Sequence, residues 1–308
     1  MGKTVAETIK EISREHLEKN NGLVLGQALA AVGWVNNTVP DTRGIIELSM
    51  ADVAGSGIAV GAAVAGRRPI FILRFQDFIF LNGSIIINYA AKTKEFFGKG
   101  TPIFVRLIAA EGKGAGPVHS GKLHSICMHF PGLRVCSPMT PKEYLEAWKV
   151  FMENDDPMIV SEHRHSFDNR DEMPDIAAAD ADITIYAISI ARFNAIKARE
   201  ILAEDGIRCN LVHIMWLKPF TLNERLLRPL RNTKKGIVVD SGYETAGASQ
   251  SIAYSLMLET GSPVKALGLY DKSVGVTTET ENTTPDANRI AAVIREMCKD
   301  KTRVKAKR

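Results

Sequence analysis

Ser49-Met-Ala-Asp52-Val-Ala-Gly55-Ser-Gly57-Ile-Ala-Val-Gly61-Ala-Ala-Val-Ala-Gly66 holds no charge after Asp52 and almost no large side chain. A helix of Ala, Val and Gly can lie close to another backbone on nearly every side, so the stretch predicts a buried helix. Gly55 and Gly57 at its start suit a tight entry and the close approach of a ligand or a neighbouring helix. The lone acid at its mouth has two readings. Asp is a good helix cap, accepting the orphan N–H groups of the first turn. An acid in a poorly solvated place is also expensive, and calls for a partner or a chemical task.

Outward from this helix, strands and helices alternate. Upstream, Thr4-Val-Ala-Glu7 is a capping box, and Val5, Ile9, Ile12 and Leu17 follow one helical face. Leu23 to Leu25 predicts a short buried strand, and Gly33 to Arg43 a loop. Downstream, Pro69 to Phe75 and Pro102 to Ile108 are dense in β-favouring residues and predict strands, with a helix from Ile85 to Phe97 between them. Glu111 to Gly121 is a glycine-rich loop and Leu133 to Cys136 a strand. Thr140-Pro-Lys-Glu143 is a second capping box, with Pro141 at the first helical position, and Pro157 to Val160 is the next strand. From Asp168 to Asp182 the chain turns polar and broken, which divides it into domains at 1–172 and 173–308. Strands at 182–187, 209–214, 236–240 and 264–267 then alternate with helices at 193–202, 248–258 and 286–297, Gly206 being a C-cap. The pattern predicts an α/β protein of two domains with mainly parallel sheets.

Composition excludes several functions. Hydrophobic content of 45% and charged content of 24% are those of a globular protein. Of the net charge of +4, much lies in Lys299 to Arg308, a solvated end and not by itself a nucleic-acid surface. No apolar run approaches the ~18 residues that span a bilayer. Cys127, Cys136, Cys209 and Cys298 show no close pairing and predict reduced thiols. With a charged helical start in place of a signal peptide, the expectation is a cytoplasmic protein with neither membrane nor nucleic-acid partners. His124 and His129 are five residues apart, which does not bring two rings onto one helical face, and no acid or Cys completes a metal site. His163 and His165 predict a surface or interface turn. No metal ligands are expected in this chain.

One set of residues is more specific. Asp52, then Gly57-Ile-Ala-Val-Gly61-Ala-Ala, Gly66-Arg-Arg-Pro69, Phe75-Gln-Asp77-Phe78 and Ile87-Asn88-Tyr-Ala-Ala-Lys92 follow in order. His119-Ser120, His129-Phe-Pro131-Gly132-Leu-Arg-Val, Ser137-Pro138 and Asp156-Pro157 to Glu162-His163 complete the series. In order and spacing they resemble the beta subunit of the thiamine-diphosphate-dependent 2-oxoacid dehydrogenases over roughly the first 165 residues. The chain from Asp182 onward is similar, more loosely, to the transketolase C-terminal domain. The resemblance implies a transketolase-like pyrimidine-binding domain followed by that C-terminal domain.

The resemblance also implies roles. An acid bonds a nitrogen of the cofactor's aminopyrimidine ring and favours the imino tautomer, which takes the proton from the thiazolium carbon. Asp52 holds that place, where the family uses Glu; Glu47 is the only nearby substitute and comes five residues early. Phe78 matches the aromatic that stacks on the ring, with Gln76 beside it and Gly55 at the helix entry as further cofactor contacts. His119 and Ser120 face the substrate, His119 as a proton donor or carboxylate holder, and Arg74 meets an acidic substrate or partner. Gly121 stands where the family has Gln. The Gly-Asp-Gly motif that holds Mg²⁺ and the diphosphate is missing. An alpha subunit should therefore supply that half of the site, in an α₂β₂ assembly. The implied reaction is decarboxylation of a 2-oxo acid and transfer of the acyl or two-carbon fragment. Half of a split transketolase-type ketol transferase, or a non-catalytic partner subunit, are the alternatives.

Overall fold

A computed structural model describes residues 2–30, 35, 37–112, 115–275, 277 and 281–305, with 300–305 described by backbone alone. Residues 306–308 of the basic end therefore lie outside the described residues, as do parts of the 33–43 and 111–121 loops. The chain divides into two compact units. One is Met1–Glu172 with Met215–Pro219 and Gly275–Glu279; the other is Met173–Ile214, Phe220–Val274 and Thr280–Arg308.

In the first unit, α1 (Val5–Lys19) starts at the capping box: the Thr4 hydroxyl accepts the Glu7 N–H and the Glu7 carboxylate accepts the Thr4 N–H. Six strands then run parallel: β1 (Leu23–Gly26), β2 (Ile45–Glu47), β3 (Pro69–Leu73), β4 (Phe104–Ala109), β5 (Arg134–Cys136) and β6 (Met158–His163). Helices α2 (Asp52–Val64), α3 (Ile79–Ile85), α4 (Thr93–Phe97), α5 (His124–Met128) and α6 (Pro141–Glu153) connect them. The strand order is β2-β1-β3-β4-β6-β5, closed by an antiparallel edge strand formed by Trp216–Lys218. β3, β4 and β6 are buried at every position, as parallel strands covered on both faces should be. Val5, Ile9 and Ile12 of α1 join Tyr144, Ala147 and Phe151 of α6 in a core against the sheet.

In the second unit, β7 (Ile183–Ile188), β8 (Cys209–Ile214), β10 (Gly236–Tyr243) and β11 (Val264–Leu269) form a parallel sheet in the order β11-β10-β7-β8, Trp216–Lys218 being β9. Helices α7 (Ala191–Glu204), α8 (Glu224–Thr233), α9 (Ala248–Thr260) and α10 (Ala287–Lys305) complete it. Ala191, Ala195, Ala198 and Leu202 of α7 and Ile290, Ala291 and Ile294 of α10 share one core.

The structure departs from the sequence expectations in several places, the unexpected strands Ile45–Glu47 and Trp216–Lys218 and the helix His124–Met128 among them. α2 is not buried all round: Gly55, Ser56, Ala59, Val60 and Ala63 face inward, but Val53 and Ile58 are 55% and 54% exposed. Small side chains permit close packing on every face without requiring it. The helix expected over 85–97 begins earlier, at Ile79, passes through a π-helical turn at Ile86–Ala90 and ends in α4. Asn82, Gly83 and Ser84 are weak helix formers that hid its start. α8, with Pro229 inside it, has no counterpart among the sequence expectations; Asn223 caps it by accepting the Leu226 N–H. In α6, Glu143 accepts the Met139 N–H rather than that of Thr140, so the second capping box is only half formed. Among the described residues, no helix is long and apolar enough to cross a membrane.

Candidate functional site

The segments that follow β2, β3, β4 and β6 carry nearly all the residues singled out above, at the carboxyl ends of parallel strands where α/β sheets place their ligands. Asp52 opens α2 after β2; Arg74 to Phe78 follow β3; His119 and Ser120 follow β4. A small cleft is lined by Asp52, Arg74 and Phe78 together with Gln27 and Asn82.

Asp52 is not a cap. The N-cap is Ala51, which has no side chain to offer, and Asp52 is the first residue of the helix. Its Oδ1 accepts a hydrogen bond from Asn82 Nδ2 at 2.9 Å. Arg74 lies almost wholly buried, its guanidinium 5.7 Å from the centre of the Phe78 ring. Burial pushes the Arg74 guanidinium down, and the negative charges of Glu47 and Asp52 oppose that shift. Arginine stays cationic under such shifts, so the cleft holds one acid and one fixed cation. Glu47, the substitute acid, is occupied elsewhere: its carboxylate accepts the Leu29 N–H at 2.9 Å and holds the turn after β1.

His119 is brought to the same aromatic group. Its ring meets Phe75 edge-on at 4.5 Å and Phe78 at 5.7 Å. Arg164, just beyond β6, lies 4.4 Å over the Phe75 ring and donates to the Arg74 carbonyl at 2.9 Å. Burial, with the neighbouring Arg74 charge, lowers the Arg164 pKa. Asn82 and Arg164 were not found from the sequence. Asn82 reads there only as a poor helix residue; a cation straight after the buried strand 158–163 was the signal for Arg164.

Besides His119, three expected site residues do not line the cleft. Gln76 is a tie within the protein: its Nε2 donates to the Leu107 carbonyl at 3.0 Å and to Ser161 Oγ at 2.9 Å, and its Oε1 accepts the Leu123 N–H at 2.6 Å. All its polar groups are engaged, so it shapes the site without offering an amide to a ligand. Gly55 is packed inside, where a Cβ would stand 3.2 Å from Leu48 Cδ1. Ser120 is buried, and its Oγ has no hydrogen-bond partner among the described residues. Gly121 has a local reason: Asp77 Oδ2 accepts its N–H at 2.9 Å, and a Cβ there would meet Asp77 Oδ1 at 2.6 Å.

His163 is no surface residue. It is fully buried, with Nε2 3.4 Å from Glu111 Oε2, and the other Glu111 oxygen lies 3.4 Å from the Lys122 ammonium. Donor atoms of Glu111, His163 and His165 lie within 4.8 Å of one another. His163 Nδ1 accepts the His165 N–H at 3.3 Å, so the neutral ring carries its proton on Nε2, towards the carboxylate. Burial lowers the His163 pKa and keeps the ring neutral. With Lys122 already on the acid, this is an ion-pair network at the base of the 111–121 loop rather than an open ligand set. His124 faces Ser161 at 3.3 Å through Nδ1, and His129 is exposed.

Residues 4–169, more than half of the chain, match the family described as transketolase, pyrimidine binding domain, and residues 175–290 match the transketolase C-terminal domain. The chain belongs to the transketolase-like family. Among its relatives is the acetoin:2,6-dichlorophenolindophenol oxidoreductase subunit beta of Cupriavidus necator, 29% identical over 72% of this chain and 69% of that one. Another is the mitochondrial pyruvate dehydrogenase E1 component subunit beta of Dictyostelium discoideum, 27% identical over 83% of this chain and 78% of that one. The 2-oxoisovalerate dehydrogenase subunit beta of Bacillus subtilis is 24% identical over 85% and 87%. A split gene transketolase, solved as an inactive beta4 tetramer, shares the fold at a TM-score of 0.73, with 19% identity over 97% of this chain and 99% of that one. In this transketolase-like chain, then, Asp52, Phe78 and Arg74 share a cleft with His119 beside the Phe78 ring, while Gln76, Gly55 and Ser120 are buried away from it.

Proposed function

We propose that the chain is the beta subunit of a thiamine-diphosphate-dependent enzyme that decarboxylates a 2-oxo acid and passes on the acyl or two-carbon fragment. One observation carries the reading: a lone acid in the first turn of a small-residue helix shares a cleft with an aromatic ring and a buried arginine. Those residues fit an aminopyrimidine. Phe78 offers an aromatic face and Asp52 a carboxylate for a ring nitrogen, and both line the same cleft. The bound cofactor would supply a carbanion and an electron sink for the decarboxylation. The chain's own residues would do the rest. Asp52 passes a proton to the ring nitrogen and then holds that N–H, which favours the imino form, Phe78 orients the ring, Arg74 draws the acidic group of the substrate, and His119 donates or accepts a proton at the substrate.

The diphosphate and its Mg²⁺ fall to an alpha subunit in this reading, because the chain has no Gly-Asp-Gly motif. The exposed apolar face of α2 and the beta-subunit names of the relatives support such a partner, with α₂β₂ the expected assembly. The four free cysteines, three of them buried, fit a reducing cytoplasm.

Asp52→Asn tests the reading. In the complex of this chain with its alpha subunit, assayed with 2-oxo acids and a dye acceptor and then with ketose donors, the variant should lose activity. Assembly and cofactor affinity should persist. Full activity in the variant would remove the catalytic role of Asp52 and leave a non-catalytic subunit. Activity with ketose donors alone would move the chemistry to ketol transfer.

A further inference from the structure

We propose that Asn82 is a positioning residue that makes the shorter acid at position 52 serviceable, and that it does so by holding the acid and the stacking aromatic with one amide. Asn82 lies in α3 and is 1% exposed. Its Nδ2 donates to Asp52 Oδ1 at 2.9 Å and to the Phe78 carbonyl at 3.1 Å. Because that nitrogen faces two oxygens, the amide can point only one way. Asp52 belongs to α2 and Phe78 to the turn that leads into α3, so the side chain ties two separate elements at the one point where both reach the cleft.

An Asn inside a helix is a poor choice for the helix itself. Its hydrogen bonds explain the choice. A carboxylate on one methylene rather than two hangs closer to its backbone and has fewer rotamers. A donor fixed on Oδ1 selects one rotamer and leaves Oδ2 to face a ligand. Hydrogen bonding to a carboxylate also favours its charged form, the form that accepts a ring-nitrogen hydrogen bond. Arg74 is the charged side chain that reaches Asp52 from the end of β3, and Glu47 reaches Arg74 from β2. A neutral Asn therefore orients the acid without adding another charge to this set.

The inference rests on the proposed role of Asp52, and the test separates the two. In the assembled complex, Asn82→Leu should lower kcat by about ten- to a hundredfold, the usual range for partners that orient a functional group. It should also move the acid limb of the pH profile upward. Asn82→Asp, which keeps the size and sets a second acid beside Asp52, should move that limb further in the same direction. In an Asp52→Asn background, Asn82→Leu should cost much less, since only the tie to the Phe78 carbonyl remains to be lost. An equal loss in both backgrounds, or an unchanged pH profile in both Asn82 variants, would overturn the inference. Should Asp52→Asn itself be fully active, the functional reading fails; the tie is then read from the melting temperature of the chain alone. Non-additive shifts for the Asn82→Leu, Asp52→Asn pair keep it, and additive shifts remove it.

Discussion

Gly132 holds φ at +79°, and a Cβ there would stand 1.8 Å from the Ala91 carbonyl oxygen. Gly98 has a similar φ of +70° but open space around it. The pair separates backbone strain from crowding. Gly98→Ala should cost about 1 kcal/mol, the left-handed penalty alone. Gly132→Ala should cost about 3 kcal/mol or more, because a main-chain carbonyl has to move as well. Urea midpoints of the two variants check this; equal losses would mean that the Ala91 segment yields freely. The Pro131-Gly132 motif was legible in the sequence, and so was Asp52 as the acid to explain. What Asp52 bonds to was not legible, because Asn82 lies thirty residues away and is brought in by packing.

At the scale of elements, a buried polar tie joins neighbouring strands and the helix over them. Arg106 of β4 donates to both oxygens of Glu162 on β6, at 2.7 and 2.8 Å, while the Tyr144 hydroxyl of α6 donates to Oε1 at 2.6 Å. The whole group is buried. The Glu162 charge raises the Arg106 pKa well above its ordinary value despite burial, and burial with the same charge raises that of Tyr144. Arg106→Met would strand the Glu162 carboxylate and should destabilise the chain by about 3–5 kcal/mol; Arg106→Met with Glu162→Gln should recover a good part of that. Denaturation curves for the single and double variants decide it, and a double variant as weak as the single would deny that a lone charge is the cause. From the sequence, Arg106 is merely a charge inside an apolar strand. The partner that makes it tolerable appears only when β4 and β6 pair in register, Arg106 opposite Val160.

Over the whole chain, three buried histidines carry the same sign of pH dependence. Burial lowers the pKa of His16, His163 and His213, the last to about 3, with Arg192 and Arg225 adding to the effect. His213 Nδ1 accepts from Arg192 Nε at 3.2 Å, which only a neutral ring allows. A base whose folded pKa is depressed binds fewer protons folded than unfolded. The stability it contributes is complete above the unfolded value of about 6.5 and falls as the pH drops towards the folded value, by about 1.4 kcal/mol per unit. Melting temperature followed from pH 7 to pH 4 should therefore fall steeply, and His213→Gln should flatten the slope. A variant with the wild-type slope would assign the acid sensitivity to other groups.

The sequence by itself determined the class of the fold, the alternation that builds two α/β units, the family, and Asp52, Phe78, Arg74 and His119 as the residues to watch. Those are local or ordered signals: periodicity, caps and motif spacing survive without knowledge of what lies across the sheet. The tertiary structure alone decided which of them meet. It turned Gln76 into an internal tie, buried His163 against Glu111 and Lys122, started the helix after β3 at Ile79, left one face of α2 uncovered, and brought Asn82 and Arg164 to the site. Each of these depends on contacts between segments far apart in the chain. Hydrogen-bond geometry and burial there are set by strand register and helix packing, which no local pattern encodes.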